Sequence, residues 1–469
     1  MAKKRKFSAP ESTPKSSIEV IVEDVTTHPM CLHGPTLLFS TEKGKYFGCA
    51  SCRDKKDCTL HIDEEDWKKE GVRKRNEKYY NLIPKVDKNT AWKNFNEVKT
   101  RHASDRAYCN TCKDLFNISQ TKKHRGDHRV TTPLTEEQLR NPSTWLPTLE
   151  NDYREAQYLF TKKAVSTVLG ILKNNKIRNI LCIGTPSIHE AAQTHPEFDS
   201  ILLDFDTRHH QFYPPNKFLW YNMFNNYLFD GNNDEKVLKK FFKASKDTGL
   251  CIVMDPPFGG RVEPLVHTIK ELSATYNKLC ETDGILPVIW AFPYFSEPYI
   301  RNMIPDIKMH DYQVEYQNHK KFQNSKGGRK QGSPVRFYTN LPFATIDLSN
   351  DSNYKYCNKC KYWVGKSNVH CNKCKECASK DGTSYVHCNL CNRCVKATYE
   401  HCNTCSRCSQ VGHKCGILVE SQSCYNCHEK GHKQLECPQR ETEKKKLKSK
   451  HLFRNKIWNT GDDWTIRVW

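Results

Sequence analysis

The chain has 469 residues, Lys+Arg 74 against Asp+Glu 53 for a formal net charge of +21, and 24 Cys. That length holds one sizeable domain plus small modules, and no run of about 18 apolar residues is present to cross a membrane. The charge excess points to a polyanionic partner, most simply nucleic acid, bound through phosphate neutralisation; the bland alternative is a merely soluble basic protein.

Residues 1–17 are basic, then rich in Ser, Pro and Thr, and read as a disordered tail. Lys3-Lys4-Arg5-Lys6 reads equally as a nuclear import signal and as a solvated basic run. The N-terminus lacks the apolar segment of a secretory signal. The expectation is an intracellular chain, where disulfides are rare, so the cysteines need another role. A first compact module is expected over 18–70, where Cys31, His33, Cys49, Cys52 and Cys58 compete for the four places of a tetrahedral zinc. A second module over 100–130 carries Cys109-x2-Cys112 and His124-x3-His128, close to a C2H2 finger. Gly126 weakens the helix that would carry the two His, so this finger reads as a groove reader or as a brace. Residues 131–150, with Pro133, Pro142 and Pro147, read as a linker with one helical turn.

Over 151–348 the pattern becomes alternating helices and apolar strands. Strands are expected at Arg178–Gly184, Ser200–Asp206, Phe218–Met223, Gly249–Asp255, Ile285–Phe295, Tyr312–Tyr316 and Val335–Thr339, and helices at Thr161–Asn174, Ser187–Thr194, Asp234–Ser245 and Pro264–Cys280. This alternation predicts an α/β domain with a doubly wound, seven-stranded, mostly parallel sheet. Cys182, Cys251 and Cys280 lie inside these apolar patterns and read as small buried hydrophobes. Gly184 ends the first strand, and Asp204 follows about 20 residues later, an arrangement that lets a nucleoside approach the backbone and binds its ribose; Asp206 is the alternative carboxylate. The fourth strand ends in Asp255-Pro256-Pro257-Phe258, a rigid shelf where ligands of open α/β sheets bind. A structural Pro-Pro turn is its bland reading. The segment Gln323–Ser333 reads as a flexible basic loop or as an RNA clamp.

Residues 354–416 are a Cys/His array in which His-Cys-x2-Cys-x2-Cys recurs. The pairing that uses every ligand once groups Cys357, Cys360, His370 and Cys377; Cys371, Cys374, His387 and Cys394; Cys388, Cys391, His401 and Cys408; and Cys402, Cys405, His413 and Cys415. Such closed sites contribute folding energy that a small core cannot supply. Residues 422–440 form a CCHC knuckle, Cys424, Cys427, His432 and Cys437, with Gly431 before the His and Tyr425 in a stacking position, a pattern suited to single-stranded bases. A basic aromatic tail, 441–469, ends the chain with Trp458, Trp464 and Trp469.

Several stretches resemble known families. Tyr46-Phe47-Gly48-Cys49, with Cys58 and Trp67, resembles a GRF-type zinc finger, which implies Cys31, His33, Cys49 and Cys58 as ligands and leaves Cys52 spare. The array pairing resembles the Cys-rich domain of DHHC palmitoyltransferases, but no Asp-His-His-Cys or membrane span accompanies it. Residues 151–348 resemble class I S-adenosylmethionine-dependent methyltransferases that modify exocyclic amino groups. That likeness implies a Rossmann-like fold, Asp204 on the cofactor ribose, Gly184 at its methionine end, Asn222 and Met223 near its adenine, and Gln157, Tyr158 and Asp255 beside it. Asp255, Pro256, Pro257 and Phe258 would be the catalytic shelf: the Asp255 carboxylate and Pro256 carbonyl accept the amino N–H bonds, the proline pair holds these acceptors in place, and Phe258 stacks on a flipped or unpaired base. Asp followed by Phe leans to adenine.

The module order as a whole resembles the zinc-finger CCHC-domain family of rRNA N6-adenosine methyltransferases acting on the large subunit. This implies an enzyme with S-adenosyl-L-methionine and Zn2+, about seven structural zinc sites, ribosomal RNA as partner, no membrane, and a nuclear, nucleolar location with a cytoplasmic pool; no protein partner is specified. Two rival readings fit the same residues: a non-catalytic RNA-binding zinc protein, favoured by the single glycine at the cofactor turn, and a DNA adenine methyltransferase.

Overall fold

A computed structural model of the chain describes residues 18–22, 25–41, 43–51, 58–83, 86–124, 126–148, 157–318, 332–413 and 415. Cys52, the CCHC knuckle, the tails and nearly all of the basic loop lie outside the described residues. At the centre is one sheet. Its strands are β1 (Asn179–Ile183), β2 (Asp199–Asp204), β3 (Phe218–Asn222), β4 (Tyr227–Leu228), β5 (Leu250–Met254), β6 (Val288–Pro293), β7 (Lys308–Gln313) and β8 (Val335–Thr339). Their order is β4-β3-β2-β1-β5-β6-β8-β7. The run from β3 through β6 is parallel, and β4, β8 and β7 pair antiparallel. The seven expected strands are all present, and the two-residue β4 adds an eighth at the edge. From β1 the chain winds outward to β2 and β3, then returns to β5 and winds the other way. The carboxyl ends of β1 and β5 therefore flank a topological switch point.

Alternation across β1 shows the double winding. Ile180 and Cys182 enter one core, and Leu181 and Ile183 the other. The first core is covered by α1 (Lys162–Asn174) and α2 (Pro186–Thr194). The Thr161 hydroxyl caps α1 by accepting from the Ala164 N–H at 3.2 Å, and Ala164, Val168, Ile171 and Leu172 form its buried stripe. Proline at the first position suits the start of α2, where no N–H is needed. The second core is covered by α3 (Asn232–Ala244), α4 (Val262–Cys280) and α5 (Glu297–Met303). Cys182, Cys251 and Cys280 are fully buried in these two cores, as small hydrophobes are.

Two readings of the sequence need correction. The strand expected at Tyr312–Tyr316 runs instead over Lys308–Gln313. Its inward residues, His310 and Tyr312, give no apolar alternation, and a register shift between His310 and Gln313 ends the ladder. The stretch expected as a linker with one helical turn, 131–150, has that turn in the short helix Glu136–Arg140, opened by a capping box at Thr135 and Gln138, but its Leu134, Leu139 and Leu146 join the first core. Between the two modules, 64–99 holds four helices, of which Lys88–Lys99 brings Phe95 and Val98 into the same core.

The small modules pack on this body. The first is a four-stranded antiparallel sheet containing Leu37–Thr41 and Gly44–Gly48. The second pairs Arg106–Cys109 with Asp114–Asn117 and Val130–Thr131. Gln211 clips it to the central domain by accepting from the Leu115 N–H and donating to the Lys113 carbonyl, both at 2.7 Å. The array is four successive hairpins. It docks on the β7 edge: the Asp311 carboxylate accepts from the Gly365 N–H at 2.9 Å and the Asn368 amide at 2.7 Å. Among the described residues no helix is long and apolar enough to cross a membrane.

Candidate active site and zinc centres

A cavity of about 160 Å³ opens at the switch point. Gly184, Asp204, Asn222, Met223, Gln157 and Tyr158 line it, together with all four residues of the Asp255–Phe258 shelf. Gly184 leaves β1 with φ +65, and a Cβ there would sit 3.3 Å from the Asp255 carbonyl and 2.9 Å from the Met223 methyl. Only glycine lets the β1 and β5 turns approach this closely. The shelf closes in a tight turn, with the Gly260 N–H donating to the Pro257 carbonyl at 2.7 Å.

The two candidate ribose carboxylates have different surroundings. Asp206 is enclosed: the Arg208 guanidinium donates to both its oxygens at 2.6–3.0 Å and the Gln157 amide to one at 2.8 Å. Burial pushes the Asp206 carboxyl up, but Arg208 and Gln157 outweigh it and hold the group at about 2. Asp204 accepts through its side chain from the Asp206 N–H at 2.9 Å, and burial raises its carboxyl above the ordinary range. Asp204 is thus the carboxylate with acceptor capacity facing the cavity, while Asp206 anchors the wall.

Asp255 accepts at 2.8 Å from the hydroxyl of Tyr316, which is buried. Burial pushes the Asp255 carboxyl well above the usual range, and the Tyr316 bond opposes that. Phe258 stacks on Tyr158 with centroids 5.3 Å apart and meets Tyr316 edge-on at 5.8 Å. These rings make an apolar wall with one hydroxyl aimed at the carboxylate. Asn222 and Met223 lie where expected, but the Asn222 amide is already engaged. It donates at 2.7 Å to the His33 carbonyl and at 2.7 Å to the Ser51 hydroxyl, and its carbonyl accepts from the Phe224 N–H at 3.0 Å.

Tyr316, Arg208, His209 and Ser143 belong to this site and are missed by motif reading. Tyr316 follows the bulged end of β7 and bridges to Phe160 before α1. Ser143 lies in the supposed linker, held by the buried Glu190 of α2, whose carboxylate accepts from its N–H at 2.8 Å and its hydroxyl at 2.5 Å. Arg208 had a local signal, since it follows Asp206 by two residues. His209 adjoins it, while Tyr316 and Ser143 reach the site only through long-range folding.

The cavity suits S-adenosylmethionine. A cradle that a Cβ would fill lies at Gly184, a carboxylate with spare acceptors at Asp204, and in the wall a buried nitrogen, His209 Nδ1, that has no hydrogen-bond partner among the described residues.

The metal-ligand sets also converge. Cys31, His33, Cys49 and Cys58 place their ligand atoms within 4.8 Å of one another, as do Cys109, Cys112, His124 and His128 and the first three sets of the array. In the fourth set, Cys402 Sγ lies 3.5 Å from Cys415 Sγ, and His413 Nε2 lies 3.4 Å from Cys405 Sγ and 3.6 Å from Cys415 Sγ. Tetrahedral zinc with bonds of about 2.3 Å to sulfur places two thiolates about 3.8 Å apart. The Cys31–Cys49, Cys360–Cys377 and Cys374–Cys394 pairs, at 3.8, 3.7 and 3.6 Å, match that spacing. His124 ends a 3-10 turn and His128 follows Gly126 at φ +81, so a bent loop presents these ligands rather than one face of an α-helix.

Comparison with known proteins agrees with this geometry. Residues 151–342 match a family model described as probable N6-adenine methyltransferase. The chain is 38% identical over 453 residues to the human rRNA N(6)-adenosine-methyltransferase ZCCHC4, covering 92% of this chain and 87% of the relative. It is 42% identical over 431 residues to the Xenopus laevis protein of the same name, covering 89% and 87%. The bovine protein of that name is 40% identical over 452 residues, covering 92% and 87%. With relatives this similar along nearly its whole length, and a cavity that joins a cofactor turn to an Asp-Pro-Pro-Phe shelf, the chain belongs to the rRNA N(6)-adenosine-methyltransferase family.

Proposed function

We propose that this chain methylates N6 of an adenosine in RNA, with large-subunit ribosomal RNA as its substrate. The observation that carries the reading is the Asp255–Phe258 shelf at the rim of the cavity that Gly184 and Asp204 also line. Bound S-adenosylmethionine supplies an electrophilic sulfonium methyl. Asp204 takes the ribose hydroxyls, and Gly184 admits the methionine end beside Asp255. An adenine amino group is a weak nucleophile, because its lone pair is delocalised into the ring. The Asp255 oxygen that Tyr316 does not hold accepts one N–H, and the Pro256 carbonyl accepts the other, which localises that lone pair toward the methyl. Tyr316 keeps the carboxylate in place while the other oxygen works. The wall of Phe258 and Tyr158 offers the base an aromatic partner and excludes water. The base reaches the shelf flipped or unpaired. The zinc modules, with the net charge of +21, hold the surrounding RNA. On this reading the chain works in the nucleus, chiefly the nucleolus, with Lys3-Lys4-Arg5-Lys6 as its import signal and a cytoplasmic pool besides.

Zinc-loaded protein incubated with tritiated S-adenosylmethionine and cellular RNA fractions is expected to label one adenosine of large-subunit rRNA. Asp255→Ala should lower that labelling by at least about 100-fold, with RNA affinity and zinc content near wild type. Labelling of DNA but not RNA would replace this reading with a DNA adenine methyltransferase. Failure to bind the cofactor would leave a non-catalytic RNA-binding protein.

A further inference from the structure

The first zinc module sits against the cofactor cavity, and its contacts run through the zinc ligand His33. The His33 carbonyl accepts from the Asn222 amide at 2.7 Å, and the His33 ring stacks on Phe205 with centroids 5.7 Å apart and planes 22° apart. Phe205 follows the candidate ribose carboxylate Asp204 in the chain, and both line the cavity. Two residues beyond Cys49, Ser51 also lines the cavity and accepts from the same Asn222 amide at 2.7 Å. A second anchor lies outside the cavity: buried Asn225 donates at 2.7 Å to the Pro35 carbonyl. Gly34 stands between these anchors, and a Cβ there would come within 2.9 Å of the Tyr227 ring and 3.1 Å of the Asn225 amide. The module is thus seated by closely fitted contacts on the loop after β3.

The amide of Asn222 has two N–H donors, and both are used by the module. It therefore has none left for a ligand, and the module, together with the Phe224 N–H on its carbonyl, fixes how its side chain sits in the cavity wall. We propose that the first zinc centre is part of the cofactor site: Asn222 and Phe205 act as positioning residues that couple zinc at Cys31, His33, Cys49 and Cys58 to S-adenosylmethionine binding. Zinc fixes His33 between Cys31 and Cys49, whose sulfurs lie 3.9 and 3.4 Å from its Nδ1. His33 in turn fixes Asn222 and Phe205, which shape the adenine end of the cavity. The inference rests on the methyltransferase reading for the identity of the ligand. Coupling between two binding events is reciprocal, so cofactor should also hold the zinc.

Asn225→Ala separates this from direct contact, because Asn225 does not line the cavity, and its amide donates to the module, to the Pro35 carbonyl at 2.7 Å and the His33 carbonyl at 3.4 Å. Full-length, zinc-loaded wild type and variant are titrated with S-adenosylhomocysteine by calorimetry. Hydrogen exchange of Leu37–Thr41 and Gly44–Gly48 is then followed during challenge with a zinc chelator, with and without S-adenosylhomocysteine. Saturating S-adenosylhomocysteine is expected to slow chelator-induced exchange in these strands by tenfold or more, and to leave the array hairpins unchanged. Asn225→Ala is expected to weaken S-adenosylhomocysteine binding by about tenfold while array zinc is retained. The proposal is overturned if wild type binds S-adenosylhomocysteine yet these strands lose protection at the same rate with and without it. It is equally overturned if Asn225→Ala loosens the strands and leaves the affinity unchanged. Absence of binding to wild type overturns the methyltransferase reading itself, and the coupling with it.

Discussion

Asp255 and Asp206 line the same cavity, and burial raises both carboxyls, but their partners outweigh it only at Asp206. Burial pushes Asp255 well above the ordinary carboxylate range, with only the Tyr316 hydroxyl opposing it. An N–H acceptor works best ionised, so methyl transfer should fall as pH drops through that raised pKa. Tyr316→Phe removes the opposing bond, so the acid limb of the kcat profile should move to higher pH; a limb that stays in place would show that Tyr316 does not support Asp255. Asp206 is different: although burial pushes its carboxyl up, Arg208 and Gln157 hold it at about 2, below its unfolded value of about 3.9. Its contribution to stability is therefore present above about pH 4 and lost as pH falls toward 2. Asp206→Ala leaves the Arg208 guanidinium buried without its carboxylate, a loss of about 3–5 kcal/mol. Urea denaturation at neutral pH measures it, and a change under about 1 kcal/mol would show that Arg208 finds another partner.

The decisive element for the site is the turn from β1 into α2. Gly184 adopts a left-handed conformation and carries no side chain between Met223 and the Asp255 carbonyl. Met223 is flexible and can give way, but the carbonyl belongs to the β5 backbone and cannot. Gly184→Ala should therefore reduce S-adenosylhomocysteine affinity by more than tenfold in calorimetry, and the left-handed backbone adds a cost of about 1–2 kcal/mol; near-normal affinity would place the methionine end elsewhere. The zinc hairpins use the same backbone device. Lys361, Lys375, Asn392 and Ser406 each follow the second Cys of a Cys-x2-Cys turn and each has positive φ, from 48 to 62°. The N–H of each second Cys points at the first sulfur at 3.4 Å. Four similar turns from one repeat explain why the array could be paired from spacing alone.

At the scale of the molecule, the zinc modules and the catalytic domain share surfaces. The second module and 131–148 supply residues of the first core, including Tyr108, Leu115 and Leu139. The array covers the β7 edge, where the His310 ring nitrogen lies 3.0 Å from the Trp363 carbonyl and the Gln313 N–H donates to the Tyr354 hydroxyl at 2.8 Å. RNA held by the modules would therefore be held in a fixed relation to the shelf. Truncation before Cys357 should weaken RNA binding and flatten the dependence of log affinity on log salt, since each lost phosphate contact removes about 0.7 of slope for single strands. Filter binding over a salt series tests this, and an unchanged slope would mean that the array carries no phosphate contacts.

Five candidates competed for the four places of the first zinc module, but the sequence by itself determined the alternating strands and helices, the Gly184 turn, the Asp-Pro-Pro-Phe shelf and the Cys-x2-Cys spacing of the array. Each of these is local: a strand end, a tight turn or a Cys-x2-Cys knuckle is set by neighbours within a few residues, and a tetrahedral ion demands a recognisable spacing. Only the tertiary structure separates the surroundings of Asp204 and Asp206, because Arg208 and Gln157 approach one of them and not the other. Only it brought Tyr316 to Asp255, Ser143 to Glu190 and His33 to Asn222, pairs 61, 47 and 189 residues apart in the chain. Such contacts leave no periodicity or spacing in either partner. They exist because the strand ends gather at the switch point, and because the modules before and after the catalytic domain bury their own apolar faces against it.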